Sequence, residues 1–334
     1  MGQDMPELTP ITSAAQKGST MRRPKGSTDD TPSVAIVVLN WNGLEDTLAC
    51  ITSLLRISYH RCSIIVVDNG STDGSPDTIA SLFPQLPLIR REINGGYAAG
   101  NNTGIRYAME RGADFVLVVN NDVVVDPDFL QPMIDQALSK LSPGIVTCKA
   151  LFQTDTSRVY CTGGRLSKWR CSGKPLPLSK ISTVCEVQYV SGCILLVRRD
   201  VFETVGFLDE QFFMYGEDLE FSLRAGKLYR MVYTPSGVVY HKSGGGTAWM
   251  NYTPTYLYYT TRNRFWIFSN ERFQYRSYVF LYNFLNLVAK SIVIVASYGL
   301  RIDSRPGVRK RLEALWKGFL HGIMAKKGAR RIPS

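Results

Sequence analysis

No C-x-x-C pair occurs in this chain. Its seven cysteines are odd in number, and Cys161, Cys171, Cys185 and Cys193 are spaced too irregularly for a tetrahedral zinc site. They read as buried or idle thiols of a reducing cytoplasm. The first thirty residues contain no apolar core of the kind a secretory signal requires. Rich in Ser, Thr, Pro and Gly, residues 1–32 read as a disordered leader. No G-x-G-x-x-G follows the first apolar run, which argues against a dehydrogenase. There is no internal repeat.

What is present is a globular composition, 45% hydrophobic and 11% aromatic, in 334 residues, enough for one large core or two ordinary domains. The net charge of +11 is concentrated at one end. Residues 301–334 hold ten Lys/Arg against Asp303 and Glu313, whereas the basic and acidic residues of 1–30 cancel.

Short apolar runs alternate with helical patterns through the first half. Ser33–Leu39 is rich in β-branched residues, as a buried parallel strand is, and Leu44, Leu48, Ile51, Leu54 and Leu55 recur at helical spacing. Ser63–Val67 predicts a second strand, Ser75-Pro76 an N-cap and first helical residue, Leu86–Ile89 a third strand, Tyr97–Arg111 a helix and Phe115–Val119 a fourth strand. This alternation predicts a doubly wound α/β sheet. Further strands are expected near Gly144–Lys149 and Val187–Val197, with a short helix over Arg199–Val205.

In such sheets ligands bind beyond the carboxyl ends of the strands. Here those ends are Asn40, Asp68, Asn94-Gly95-Gly96 and Asn120-Asn121-Asp122, polar or glycine in every case. The last interrupts an otherwise apolar stretch, Leu117–Val125, where unpaired polar groups would cost about 1–3 kcal/mol each. Any one of these residues is an ordinary turn former; four consecutive strand ends behaving alike point to a ligand.

Asp122 offers the single carboxylate with which proteins commonly hold Mg²⁺ or Mn²⁺ beside substrate phosphates. Asp68 sits where a carboxylate can accept bonds from a ribose or base. Glu217, Asp218 and Glu220 lie within five residues, approached by Phe212, Phe213, Met214 and Tyr215. A solvated helix start explains such acids through the helix dipole; an apolar surround instead raises their pKa values and lets one take a proton from an acceptor hydroxyl. His241 ends an apolar run before Gly244–Gly246. It is either a structural imidazole or a ligand for a Mn²⁺-like ion, and the triple glycine suits a closing loop.

In order, VVLNWNG (Val37–Gly43), VVDNGSTDGS (Val66–Ser75), NGGYAAGNNTG (Asn94–Gly104), NND (Asn120–Asp122), MYGEDLEFSLR (Met214–Arg224) and YHKSGGG (Tyr240–Gly246) resemble glycosyltransferase family 2, more narrowly its bacterial rhamnosyltransferase-like branch. The resemblance runs from about Ser33 to Asn270. It implies a GT-A fold, a doubly wound mixed sheet with a Rossmann-like nucleotide-binding half followed by an acceptor half, over residues 33–250. It also implies an inverting transfer of a sugar, with rhamnose one candidate, from a dTDP- or UDP-sugar to a glycan or polyprenyl-diphosphate-linked acceptor in cell-envelope polysaccharide synthesis. Asp122 matches the last residue of the family's D-x-D-type metal motif, whose first acid is here Asn120, and His241 matches a histidine that helps hold Mg²⁺ or Mn²⁺ and diphosphate. Asp218, with Glu217, matches the motif that supplies the catalytic base. Asp68 matches the carboxylate on the nucleoside, and Asn40, Gly96, Asn101 and Asn121 fall in the segments expected to line the nucleotide sugar.

Residues 251–334 read as a helical, aromatic and basic region at a membrane interface. Tyr278–Leu300 is long enough to span a bilayer of ~30 Å. Asn283, Asn286 and Lys290 nevertheless form a polar stripe on it, which fits a helix lying in the surface, or one packed on the catalytic domain. The basic tail would attract anionic lipid at ~1 kcal/mol per residue near the surface. Arg262 and Arg264 either meet acceptor phosphates or pack among Tyr256, Tyr258, Tyr259 and Trp266. The expected location is cytoplasmic, peripheral on the inner face of the cell membrane. Two rival readings are weaker. A sugar-nucleotide nucleotidyltransferase would place a glycine-rich basic loop after the first strand, where Asn40-Trp41-Asn42-Gly43 stands. A nucleic-acid-binding protein would show stacking aromatics or a known module in the basic tail, so no nucleic-acid partner is expected.

Overall fold

The computed structural model describes residues 31–167, 169–242, 253–268, 273–299 and 307–325. The leader as far as residue 30, Gly244–Gly246 and residues 326–334 lie outside these. The β-branched run at the start becomes Val34–Asn40 (β1), buried along its whole length except at Leu39. Leu44–Leu54 (α1), Cys62–Asp68 (β2), Ser75–Leu82 (α2), Leu88–Arg90 (β3), Gly96–Glu110 (α3) and Phe115–Asn120 (β4) follow. β1 pairs in parallel with both β2 and β4, and β2 with β3.

The remaining strands are Val123–Val125 (β5), Ile145–Phe152 (β6), Asp155–Cys161 (β7), the hairpin Gly164–Ser167 (β8) and Ser172–Pro175 (β9), Cys185–Val187 (β10), Ile194–Arg198 (β11) and Met231–His241 (β12). Leu130–Ala137 (α4), Arg199–Val205 (α5) and Glu217–Ala225 (α6) are the helices between them. The main sheet runs β10-β12-β6-β11-β4-β1-β2-β3, with β5 paired to β12 and β7 to β6. β11 is antiparallel to both its neighbours, so the sheet is mixed.

Alternation along the central strands builds two apolar layers. Ile36, Val38, Leu117 and Val119 face Ile51, Leu54, Ile79 and Met133, from α1, α2 and α4. Val37, Val67, Val116 and Val118 face Ala98, Ile105, Phe202 and Phe221, from α3, α5 and α6. Strands with both faces covered read as continuous apolar runs. The doubly wound arrangement is therefore realised as a mixed sheet with helices on each side.

Two local readings change. Val187–Val197 is two strands, β10 and β11, because Ser191-Gly192 breaks the ladder and sends the Gly192 N–H to a side chain instead. Ser75 is the first residue of α2 rather than its cap; Gly74, at φ 77°, stands at the cap position and Pro76 within the first turn. In β12 the register slips between Thr234 and Val238, around Pro235, which has no N–H to give to a ladder.

Beyond β12, Pro254–Ile267 (α7), Phe273–Gly299 (α8) and Val308–Ile323 (α9) pack on one another through Leu257, Leu287, Ile294, Leu315 and Phe319. α7 starts on Thr253, whose hydroxyl caps the Tyr256 N–H at 3.1 Å. Small residues let α9 approach closely: a Cβ on Gly318 would lie 2.5 Å from the Tyr258 carbonyl oxygen. α8 is apolar on both sides. Toward the protein it buries Val279, Leu287 and Ile294 together with Asn283, which accepts from Arg264 at 3.3 Å, whereas Phe280, Leu281, Phe284, Leu285, Val288 and Ile292 are exposed. Thus Asn283 of the polar stripe belongs to the protein side, and a second apolar side is left open.

Candidate active site

The strand ends meet on one rim because the register puts them there: Asn40 lies opposite Asp68, and Leu39 opposite Asn120. Asn40 is completely buried. Its Nδ2 donates to Asp68 Oδ1 at 2.8 Å and Ser75 Oγ at 2.7 Å, and its Oδ1 accepts from Thr47 Oγ1 at 2.8 Å. Asp68 Oδ2 in turn accepts the Ser71 N–H at 3.1 Å. All of Asn40's polar atoms are therefore spent on the protein, and its effect on the rim is to orient Asp68. Thr47 extends the same chain to the rim by accepting from Asn121 Nδ2 at 2.9 Å.

Gly96 has φ 88°, and a Cβ there would come within 2.2 Å of the Phe213 carbonyl oxygen. Glycine is thus required by the close approach of the segment before α6, which also takes the Tyr97 N–H onto Phe213 O at 2.6 Å. One turn on, Asn101 is buried, its Nδ2 bonded to Tyr97 O at 3.0 Å.

Asp122 and His241 come together through sheet pairing. β5 runs antiparallel to the end of β12 with His241 opposite Val123, and the Lys242 N–H donates to the Asp122 carbonyl at 2.8 Å. His241 Nε2 then lies 3.3 Å from Asp122 Oδ1. The imidazole is 5% exposed and stacks on Tyr160 at 4.0 Å between ring centres. Burial pushes the His241 pKa down, favouring the neutral ring, against the pull of Asp122. Burial also raises Asp122, with His241 opposing. Among the described residues no group of three His, Cys, Asp or Glu could hold a metal. A neutral imidazole beside one carboxylate does fit a divalent ion that takes its other ligands from phosphate oxygens and water.

The third element is the start of α6. Asp218 Oδ2 accepts the Gly192 N–H at 3.0 Å and Oδ1 its neighbour Leu219 N–H at 2.7 Å. Burial raises the Asp218 pKa while these N–H groups pull it back. Glu217 is buried, and burial with the Asp218 charge beside it pushes its pKa up to about 8. Near neutral pH Glu217 therefore keeps its proton, and the two N–H groups favour the anion at Asp218. Glu220 is not part of this pair: it is clamped by Arg224 at 2.6 Å on the same helix. Tyr97 links the two halves of the site. Its hydroxyl donates to Gly192 O at 2.6 Å, and burial, Glu217, Asp218 and Asp122 together hold its pKa well above the usual value.

Within the described residues, the buried polar atoms with no hydrogen-bond partner include Asn101 Oδ1, Asn120 Oδ1, Glu217 Oε2 and His241 Nδ1. All four belong to the motif residues. Such atoms in a native interior call for a ligand, ion or water to complete them.

Several contributors are not singled out by any motif. Thr47, Tyr160 and Gly192 act through partners elsewhere in the chain, and Tyr97, though inside Asn94–Gly104, gives no sign of its partner; only Gly192, in Val190-Ser191-Gly192-Cys193, stands out as a turn signal inside an apolar run. Arg262 is completely buried and packs among aromatic rings, with its Nη2 on the Phe212 carbonyl at 2.7 Å.

A family model described as glycosyl transferase family 2 matches residues 33–206. Asp218 and His241 lie past that stretch. The chain is 28% identical over 271 residues to the N-acetylglucosaminyl-diphospho-decaprenol L-rhamnosyltransferase of Mycobacterium tuberculosis, covering 72% of this chain and 87% of that protein. It is 26% identical over 251 residues to the dTDP-rhamnosyl transferase RfbF of Shigella flexneri, covering 70% and 79%. Its fold is similar to that of a mannosyltransferase from Pyrobaculum calidifontis solved with GDP-Man and Mn²⁺, with a TM-score of 0.56 at 16% identity over 90% of this chain and 92% of that one.

Proposed function

Since the chain belongs to glycosyl transferase family 2, we propose that it moves a sugar, with rhamnose the leading candidate, from a dTDP- or UDP-sugar to a hydroxyl of a glycan or polyprenyl-diphosphate-linked acceptor. The named relatives include rhamnosyltransferases, one of them acting on a decaprenol-linked sugar. The reaction serves cell-envelope polysaccharide synthesis.

The observation that carries this reading is the division of labour between Glu217 and Asp218. Two backbone N–H groups favour the anion of Asp218, while burial keeps Glu217 protonated. Asp218 is then the base. It takes the proton from the acceptor hydroxyl as that oxygen bonds to the anomeric carbon and the bond to the diphosphate oxygen breaks on the opposite face. One displacement inverts the centre. Asp68, aligned by Asn40, receives the nucleoside, and Gly96, Asn101 and Asn121 line the donor. A Mg²⁺ or Mn²⁺ held by Asp122 and His241 supplies positive charge for the departing diphosphate when bound. Tyr160, stacked on His241, fixes the plane of that ring.

The open apolar side of α8 lies on the inner surface of the cell membrane, with the basic residues of 301–334 drawn to anionic headgroups, placing the site within reach of a lipid-linked acceptor. The test is binding and turnover of a panel of dTDP- and UDP-sugars with Mg²⁺, with Mn²⁺ and with EDTA. Metal-dependent binding of one donor, lost in Asp122→Ala, is the expected result; no binding of any sugar nucleotide under any condition contradicts the reading.

A further inference from the structure

The two acids at the start of α6 follow a segment that an L-amino-acid chain avoids. Phe213 has φ 69° and ψ −63°, and the Met214 N–H bonds back to Phe212 O at 2.9 Å, the rare and strained form of γ-turn. Tyr215 follows at φ 65° and Gly216 at φ 99°. Only the glycine adopts such a conformation without strain. Non-glycine residues stay there only where their surroundings over-determine them.

Those surroundings come from α7, outside the stretch that the family model matches. Asn263 is 1% exposed, and its Nδ2 lies 2.6 Å from Tyr215 O and 2.9 Å from Met214 O, with Phe212 O at 3.3 Å. An amide nitrogen has two hydrogens. Both are therefore spent on this one segment, on carbonyls that flank its strained residues. Arg262 adds its bond to Phe212 O, and Tyr259 stacks on the Phe213 ring at 5.2 Å between centres. On the other side, the Tyr97 N–H holds Phe213 O. The segment is thus gripped from both sides immediately before Glu217.

We propose that Asn263 is a positioning residue for sugar transfer: by holding the Met214 and Tyr215 carbonyls it fixes the left-handed approach to α6, and so sets Asp218 against Gly192 and the acceptor. The C-terminal helices are then a working part of the site as well as a surface for lipid. A structural role within α7 needs the bulk of the side chain at 263 and its Oδ1, which accepts from Arg262 Nε at 2.8 Å and which Asp retains, whereas this role needs its two N–H donors. The proposal rests on Asp218 being the base.

The test compares Asn263→Ala and the near-isosteric Asn263→Asp, which replaces the donors by an acceptor, with wild type and Asp218→Asn in the full-length protein. The readouts are Kd for dTDP and UDP with Mn²⁺, melting temperature, and steady-state release of nucleoside diphosphate from dTDP-rhamnose and UDP-GlcNAc with a polyprenyl-diphosphate-linked sugar as acceptor. A catalytic group displaced by about 1 Å can lose on the order of 100-fold in rate, so kcat should fall at least about 30-fold in both Asn263 variants while donor KM and Kd stay within about threefold. Unchanged kcat in either variant overturns the proposal. So does a loss that appears only together with weaker nucleotide binding and a collapsed melting transition, the signature of a purely structural role. If Asp218→Asn keeps full turnover, the base assignment fails and the proposal with it. If Asp218→Asn is inactive but the Asn263 variants are not, the positioning role alone fails.

Discussion

The backbone N–H of Gly192 donates to Asp218 Oδ2 at 3.0 Å, joining the loop before β11 to the first turn of α6. A glycine suits this point, since a Cβ at 192 would lie 2.9 Å from the Tyr97 hydroxyl oxygen. Gly192→Ala should push the Tyr97 ring away and tilt the loop that carries the N–H. Turnover is expected to drop by roughly 10-fold, with donor binding retained, since small displacements at the reacting groups act on rate. Single-turnover kinetics beside a nucleotide-binding isotherm separate the two effects.

Glu217 ties the site to stability through pH. Its pKa is raised from 4.5 to about 8 in the folded protein. Between these values the unfolded chain has released the proton and the folded chain still holds it, so Glu217 lowers stability as pH rises through that window, and the loss is complete above about 8. Glu217→Gln, permanently neutral, removes the dependence. Melting curves from pH 5 to 9 should show the variant gaining on wild type with rising pH and no difference at the acid end. Parallel curves for the two proteins would contradict it.

Asn40 supports the proposed nucleotide side of the site from within the core. Asn40→Ala leaves Asp68 Oδ1 without its buried partner, while Thr47 Oγ1 keeps Gly43 O and Asn121 Nδ2. An unpaired buried group costs about 1–3 kcal/mol, so a loss of about 2 kcal/mol is expected in chemical denaturation. Donor affinity should fall as well, since Asp68 is no longer aligned. An unchanged denaturation midpoint would show the network to be dispensable.

The apolar side of α8 predicts lipid binding without a stability effect. Leu281 and Leu285 are 53% and 57% exposed. A double change, Leu281→Asp with Leu285→Asp, should reduce sedimentation with anionic vesicles at least about 10-fold, since each large apolar side chain is worth about 1.5–3 kcal/mol when buried. The melting temperature of the free protein should hold. Equal vesicle binding by the variant and wild type would place the contact elsewhere.

The first half of the fold was legible because buried parallel strands leave a local record: β1, β2 and β4 each begin and end within one residue of their apolar runs, and α5 spans Arg199–Val205 as its pattern predicts. The strand-end rule then marked Asn40, Asp68 and Asn120–Asp122 before any partner was known. What local pattern does not carry is partnership at long range. Nothing near Tyr160 shows that it stacks on His241, and nothing near Asn263 shows that it grips residues 212–215. The polar stripe of α8 shows the same limit. Its periodicity is plain, but whether Asn283 meets water or Arg264 depends on which helix packs against it.

On the proposed mechanism Asp218 acts as the base at a donor site built by Asp122 and His241. The most direct measurement is donor binding and turnover in Asp218→Asn with Mn²⁺, using the sugar nucleotide that wild type consumes. Donor affinity within about threefold of wild type and turnover reduced by about 100-fold or more are expected, the scale of a lost general base. Turnover near the wild-type rate in Asp218→Asn would contradict that mechanism.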